Sequence, residues 1–156
     1  METAFVFDEG AKGLCTETDY PYIAGKDTCK TDCSKTSSSI VTSYLDIDEK
    51  DKHGLLASIA LQPTSIAMQA NQLVFQFYSS GVLTSDDCGE YGKVDHGVLA
   101  VGYGIDKETG KKFWKVKNSW GPEWGEGGYF CLDHTSDLSW GTCALILIRT
   151  APGVIA

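Results

Sequence analysis

A histidine and an asparagine have surroundings that could support catalysis. His96 lies at the head of the apolar run 94–104, which is bracketed by glycines, so its imidazole is expected to be anchored. Three of the four tryptophans crowd around Asn118, within residues 114–124. A carboxamide beside an indole can accept the N–H of an imidazole and shield that hydrogen bond from water, which fixes the orientation of the ring. Either segment alone could be packing, but together they predict a general base and its orienting group.

The other two histidines are predicted to lie at the surface. His53 lies among charged residues on the solvated face of a predicted helix, and His134 lies in the polar loop 133–136. A lone histidine is more often structural than catalytic. His96 is therefore the candidate base because it has a candidate partner.

Both helices and strands are predicted in the segments that must position these residues. Apolar periodicity predicts a helix over residues 1–9 that ends at Gly10 and Gly13, then a turn-rich loop over 13–39. A second helix is expected to be capped by Asp48 and to end before Pro63. Its apolar face is predicted to contain Leu55, Leu56, Ile59 and Ala60. A short aromatic helix is predicted over 72–78, and strands over 40–45, 64–70, 94–103, 112–117, 128–132 and 143–149.

Composition narrows the classes of function. The 156 residues are 42% hydrophobic and 22% charged, as expected of one folded domain. A net charge of −8 disfavours a nucleic-acid partner. The longest strongly apolar run, residues 144–148, is far shorter than the roughly 20 residues of a membrane span, so no membrane partner is expected. Six cysteines favour an oxidising compartment.

Several segments resemble one family in the same order along the chain. Residues 94–104 and 118–129 resemble the histidine and asparagine motifs of papain-like cysteine peptidases, especially the cathepsin L-like branch. Residues 19–22 resemble that family's Tyr-Pro-Tyr segment, and residues 1–5 resemble the end of the helix that follows its nucleophile. The resemblance implies an α+β, papain-like fold, mainly the C-terminal antiparallel β-barrel half. Residues 1–39 would be a remnant of the helical half, 40–150 the β-barrel half and 151–156 a C-terminal tail.

The resemblance implies a cysteine-type endopeptidase. His96 would form an ion pair with a thiolate and protonate the leaving amine, Asn118 would orient His96, and Trp120 would cover their hydrogen bond. No metal or organic cofactor is expected. The alternative is a non-catalytic fragment or pseudoenzyme that binds peptides or inhibitors.

The nucleophile itself is expected outside this chain. No cysteine here has the surroundings Cys-Gly-Ser/Ala-Cys-Trp/Tyr, which in this family precede the histidine and asparagine motifs by roughly 130 to 150 residues. The nucleophile would then lie about 35 residues before Met1, together with the oxyanion-hole glutamine. The chain alone is expected to be inactive. A truncated gene model, a fragment and one chain of a two-chain enzyme all remain open.

The resemblance implies different roles for the six cysteines. Cys88 and Cys143 resemble the disulfide of the β half, and Cys29 resembles a cysteine whose partner lies upstream. Cys15, Cys33 and Cys131 match no position clearly, although a pairing of the first two is considered. A zinc site at residues 29–33 would need two more ligands, and none is nearby in the sequence.

Specificity in this family depends on an apolar pocket for the second residue before the cleaved bond. By position, Ala67, Val94, Gly97 and Ile148 resemble its walls and floor. Ala67 and Ile148 could instead be ordinary core residues. If Ile148 is the floor, an aliphatic side chain such as Leu or Val is preferred.

The resemblance also implies partners and a compartment. The expected partners are a peptide or protein substrate, the missing N-terminal half of the same enzyme, and propeptide or cystatin-like inhibitors. The expected location is the lysosome or vacuole, or outside the cell.

Overall fold

The structure is a computed structural model that describes residues 1–88, 93–136, 139, 141–146 and 153–155. The helices of this part are α1 (Glu2–Ala11), α2 (Lys52–Leu61), α3 (Leu73–Gln76) and α4 (Ser85–Cys88). The strands are β1 (Val41–Tyr44), β2 (Thr64–Met68), β3 (Val82–Leu83), β4 (His96–Ile105), β5 (Lys112–Lys117), β6 (Tyr129–Asp133) and β7 (Gly153–Ile155). Short 3₁₀ turns lie at Ser37–Ser39 and Thr142–Ala144. The described residues divide into two compact units, one up to Leu45 together with β7, and one from Asp46 onwards.

The first unit contains α1, a long loop and a two-stranded sheet. The helix ends at Ala11 because Lys12 adopts a left-handed conformation with φ 55°. Gly13 is needed next, since its φ is 104° and a Cβ there would lie 2.7 Å from the Thr36 carbonyl oxygen. The helix and turn-rich loop predicted from the sequence are both present. A disulfide joins Cys15 to Cys33 in this loop, and β1 pairs with β7 in antiparallel fashion.

The second unit is built on a five-stranded sheet in the order β2-β4-β5-β6-β3. Neighbouring strands are antiparallel except β3 and β6, which are parallel. One core lies against this sheet, and its largest fully buried side chains include Leu55, Ile66, Met68, Phe75, Phe130 and Leu132. The helix α2 and the one-turn helix α3 both contribute to it.

Two details of α2 differ from the prediction. Asp51, not Asp48, caps the helix, because its carboxylate accepts the backbone N–H of Gly54 at 2.8 Å. Leu55 and Ile59 are buried one turn apart, as predicted, but Ala60 is exposed. The helix ends at Leu61, in agreement with the stop expected from Pro63.

The prediction of a strand over 143–149 is wrong for residues 143–146, which the structure describes. Cys143 and Ala144 have φ of 52° and 61°, in the left-handed region, so the chain turns here and cannot continue as a strand. The disulfide between Cys88 and Cys143 fastens this turn to the end of α4. Residues 147–149 lie outside the described residues.

Candidate active site

The sheet register brings the histidine and the asparagine together. His96 is the first residue of β4, and Asn118 directly follows the last residue of β5. These strands are antiparallel neighbours in which Leu99 pairs with Lys117, so the start of one lies beside the end of the other. The imidazole Nε2 of His96 lies 2.8 Å from Oδ1 of Asn118. This distance falls within the range expected of a base and its orienting group.

A second hydrogen bond fixes the direction of the first. Oδ1 of Asn118 also accepts the backbone N–H of Ser119 at 2.8 Å, and a backbone N–H can only donate. Because Oδ1 is then the acceptor for both groups, Nε2 of His96 must carry the proton. In a neutral imidazole this leaves the lone pair on Nδ1. Nδ1 is therefore the nitrogen that could accept a proton.

Aromatic side chains cover this hydrogen bond. The Trp120 indole lies 5.1 Å from the His96 ring between centroids, tilted by 36°, although Trp120 itself is 41% exposed. Phe75 packs edge-on against both rings at 5.3 and 6.4 Å. Asn118 is only 6% exposed. Exclusion of water strengthens the bond and keeps the ring from rotating.

The amide nitrogen of Asn118 shows that this geometry has a cost. Nδ2 is buried and has no hydrogen-bond partner among the residues that the structure describes. An unsatisfied buried donor costs about 1 to 3 kcal/mol. Asn118 is thus oriented so that its oxygen serves His96 and Ser119 while its amide N–H groups have no partner among the described residues.

The loop after Asn118 is closed by its backbone and by glycines. The N–H of Asn118 donates to the Gly128 carbonyl at 2.9 Å, so both ends of the loop are joined. Gly125 has φ 58°, and a Cβ there would lie 2.7 Å from the Tyr129 carbonyl oxygen. Glycine is therefore required at this position. The loop holds Trp120 above the histidine.

Two side-chain contacts that the sequence did not reveal attach this loop to the segment around α3. The indole N–H of Trp124 donates to the Gln76 carbonyl at 2.9 Å. The Tyr78 hydroxyl and the Gly81 N–H both reach one carboxylate oxygen of Glu126, at 2.8 and 3.1 Å. Burial, together with this carboxylate, raises the pKa of Tyr78. The two contacts join residues 45 to 48 positions apart, which no local pattern could indicate.

Asp95 fixes the segment on the other side of the histidine. Its carboxylate accepts the backbone N–H of Ala70 at 2.8 Å, and its own N–H donates to the Met68 carbonyl at 3.1 Å. Met68 pairs with His96 in the sheet. The end of β2 and the start of β4 are thereby held together on both sides of the imidazole.

Three of the four predicted pocket residues lie near this end of the sheet. Ala67 pairs with Gly97 across β2 and β4 and is buried, Gly97 is exposed, and Val94 is half-buried. A Cβ built on Gly97 would meet nothing within 4 Å, so the surface beside His96 is open there. Ile148 lies outside the described residues.

Four of the six cysteines form disulfides, and two have free thiols. Disulfides join Cys15 to Cys33 and Cys88 to Cys143, while Cys29 is free and exposed. Cys131 is free and buried in β6, and burial raises the pKa of its thiol to about 11, with Glu126 adding to the effect. Cys131 is therefore a neutral thiol at physiological pH.

Within the described ranges, no three or more His, Cys, Asp or Glu side chains lie together in a group that could hold a metal ion. Within the same ranges, no helix is both long and apolar enough to span a bilayer.

The family follows from this fold and site together with comparison to known proteins. The papain family cysteine protease model matches residues 1–147. A KDEL-tailed cysteine endopeptidase of Arabidopsis thaliana is 44% identical over 154 residues, which are 97% of this chain and 41% of that protein. A cysteine proteinase of Hordeum vulgare, EP-B 1, is 40% identical over 155 residues, with the same two coverages. The chain belongs to the papain family of cysteine proteases.

Solved structures agree on the fold. Bromelain from Ananas comosus, solved with an inhibitor bound, superposes with a TM-score of 0.84 at 37% identity over 98% of this chain and 68% of that chain. The ragweed pollen allergen Amb a 11, solved in its proform, gives 0.83 at 34% identity over 100% of this chain and 45% of that one. The papain-like α+β fold predicted from the sequence is confirmed. The chain spans about two fifths of the length of the two curated relatives.

Proposed function

We propose that this chain supplies the general base and its orienting group to a cysteine-type endopeptidase. The observation that carries the proposal is the 2.8 Å contact between His96 Nε2 and Asn118 Oδ1, covered by Trp120. Core packing alone does not favour a buried carboxamide whose nitrogen has no hydrogen-bond partner among the described residues. Its orientation is useful if the imidazole has to be held in one tautomer.

The nucleophile of the proposed enzyme lies in polypeptide outside these 156 residues. Four cysteines form disulfides, and Cys131 is buried with a raised thiol pKa. Cys29 lacks the family's Cys-Gly-Ser/Ala-Cys-Trp/Tyr surroundings. The partial coverage of the curated relatives supports the same view. This chain alone would be inactive.

The reaction would use the reactive Nδ1 of His96. An external thiolate attacks the peptide carbonyl carbon, and the proton held on Nδ1 passes to the amine as the C–N bond breaks, leaving an acyl-thioester. A water molecule then gives a proton back to Nδ1 as its oxygen attacks the thioester, and the thiolate leaves. Nε2 stays bonded to Asn118 throughout, so the ring does not need to reorient.

The division of the chain and its specificity follow as further parts of the proposal. Residues 1–39 would be the remnant of the helical half, 40–150 the β half and 151–156 a tail.

The pocket for the second residue before the cut would be formed by Ala67, Val94, Gly97 and Ile148, with preference for Leu or Val. The open surface at Gly97 supports a substrate wall at that place. A substrate-library profile dominated by Arg or Lys would contradict this pocket.

Partners and location are proposed on the same basis. The whole enzyme would bind peptide or protein substrates, and a propeptide or cystatin-like inhibitors would occupy the same cleft. A proform is the state in which one relative, the ragweed allergen, was solved. The proposed location is the lysosome or vacuole, or outside the cell.

The test compares histidine variants of the whole protein. His96→Ala should abolish peptide hydrolysis, whereas His53→Ala, at an exposed position on α2, should leave it unchanged. A thiol-reactive epoxide inhibitor should label a cysteine that is not among the six in this chain. Turnover by the 156-residue chain alone, with label on Cys29 or Cys131, would contradict the placement of the nucleophile. Tight peptide binding by a whole protein without turnover would instead support the non-catalytic alternative.

A further inference from the structure

A cavity of about 350 Å³ lies at the end of the β4–β5 hairpin, within the second unit. Its walls include Leu56 of α2, Tyr103 and Ile105 of β4, and Phe113 of β5. Its volume is at the lower end of the range for small-molecule sites. None of the residues assigned to catalysis lines it.

The cavity is far from the candidate active site. His96 begins β4, and Tyr103 to Ile105 end it, so seven to nine residues of strand separate the two places. At about 3.3 Å per residue, this separation is about 25 Å. A ligand in the cavity would not touch the catalytic groups.

The walls are apolar side chains that the rest of the described fold leaves exposed. Tyr103 and Ile105 are 51% and 61% exposed. The Phe113 ring lies across Gly104, where a Cβ would be only 2.9 Å from the ring. Glycine at this position therefore lets the aromatic ring approach the strand closely and form one side of the cavity.

Lys112 brings positive charge to the rim although the protein as a whole carries −8. Lys112 and His134 both line the cavity, and the backbone N–H of His134 donates to the Lys112 carbonyl at 2.9 Å, which fixes their spacing. The His134 ring is held edge-on against Trp114, with centroids 4.3 Å apart. Lys52 also acts on the imidazole electrostatically, and Asp133 opposes it. Lys112 and Lys52 thus place positive charge near the apolar wall, and Asp133 partly offsets it.

We propose that this cavity binds a small organic carboxylate with an apolar body. The body would lie against Leu56, Ile105 and Phe113, and the carboxylate would face Lys112 and His134. Apolar walls with a few polar groups on one side are the usual make-up of a small-molecule site. The proposal does not depend on the peptidase reaction.

Binding should depend on pH through His134. Burial lowers the pKa of His134, and Lys52, Lys112 and, to a smaller extent, His53 lower it further. Asp133 raises it. A bound carboxylate would favour the imidazolium and raise this pKa. By linkage, affinity for the carboxylate increases as the pH falls through the pKa of His134.

The experiment titrates the whole protein with three probes that share one apolar body: phenylbutyrate, phenylbutanol and phenylbutylamine. Binding is followed by calorimetry and by the NMR signals of the His134 ring. We expect the carboxylate to bind most tightly, the alcohol more weakly and the amine most weakly. Equal affinities, or tighter binding of the amine, would contradict the role of the rim, and no binding of any probe would overturn the site.

Variants test the charged rim and the apolar wall of the cavity separately. Lys112→Gln should weaken phenylbutyrate about threefold and leave phenylbutanol unchanged. Lys117→Gln, at the other end of the same strand, is the matched control and should change neither affinity. Ile105→Asp should weaken both probes, and His134→Gln should remove the increase in affinity at low pH. A pH dependence that survives His134→Gln, or an equal effect of both lysine variants, would refute the proposal.

Discussion

Replacing Asn118 with alanine is the sharpest perturbation of the candidate active site. The change removes the acceptor for His96 Nε2 and for the Ser119 N–H, both at 2.8 Å, without adding bulk. In the proposed mechanism the imidazole is cationic while it is paired with a thiolate, so the lost bond would be charge-assisted and worth about 1.5 to 3 kcal/mol. In the whole enzyme this corresponds to a loss of about 10- to 150-fold in kcat/KM, mostly in kcat. KM should change little, because the carboxamide is buried and acts through the imidazole.

Steady-state kinetics of the whole enzyme provide the assay, and the chain offers a matched control. The sequence contains one other asparagine, Asn71, whose side chain accepts from Gln69 Nε2 at 3.0 Å. Asn71→Ala should leave kcat within about twofold. Nitrogen NMR of His96 should also show the Nε2 proton in the parent protein and a mixture of tautomers in Asn118→Ala. A loss in kcat below about threefold, with an unchanged tautomer, would refute the orienting role.

Three further expectations concern stability and reactivity. Gly125→Ala should lower the free energy of unfolding by at least about 2 kcal/mol, because the residue has φ 58° and its Cβ would meet the Tyr129 carbonyl oxygen at 2.7 Å. Gly102→Ala is the control, since nothing lies within 4 Å there, and equal losses in urea denaturation would contradict the steric argument. Cys131 should react with a maleimide at neutral pH only after unfolding, because burial raises its thiol pKa to about 11, and fast labelling of the native protein would be inconsistent with that environment. The lowered pKa of His134 means that the unfolded chain binds the proton more readily, so stability should fall as the pH drops below the ordinary value near 6.5. His134→Gln should reduce that fall in the urea midpoint, and an unchanged pH dependence would exclude His134 as its source.

The sequence predicted the elements that carry periodic apolar patterns. The limits of β5 were predicted without error, and those of α1 and β2 within two residues. The His96–Asn118 contact could be anticipated because chemistry, not spacing, required it. The family resemblance added the pairing of Cys88 with Cys143, which the structure also shows.

The missed features depend on contacts between distant residues. The two-residue strand β3 is too short for any pattern, and it exists because its parallel partner β6 offers hydrogen bonds. Likewise, β7 forms only by pairing with β1, more than 100 residues earlier. The turn at Thr142–Ala144 has an apolar sequence typical of a strand, but its positive φ values and the disulfide at Cys143 override that propensity. The Glu126 contacts were missed for the same reason, since a glutamate in a glycine-rich loop usually predicts a solvated side chain.

The antiparallel pairing of β4 with β5 has a consequence for the order of folding. The candidate base and its orienting residue are 22 positions apart, on adjacent strands joined by one short turn. Hairpins of this kind close in about 1 to 10 μs, faster than most non-local contacts form. The two side chains should therefore meet early, before the strands on either side of the hairpin have docked. In the proposed peptidase, this order would fix the histidine before a thiol from outside this chain could reach it, so that a partly folded chain would be inactive.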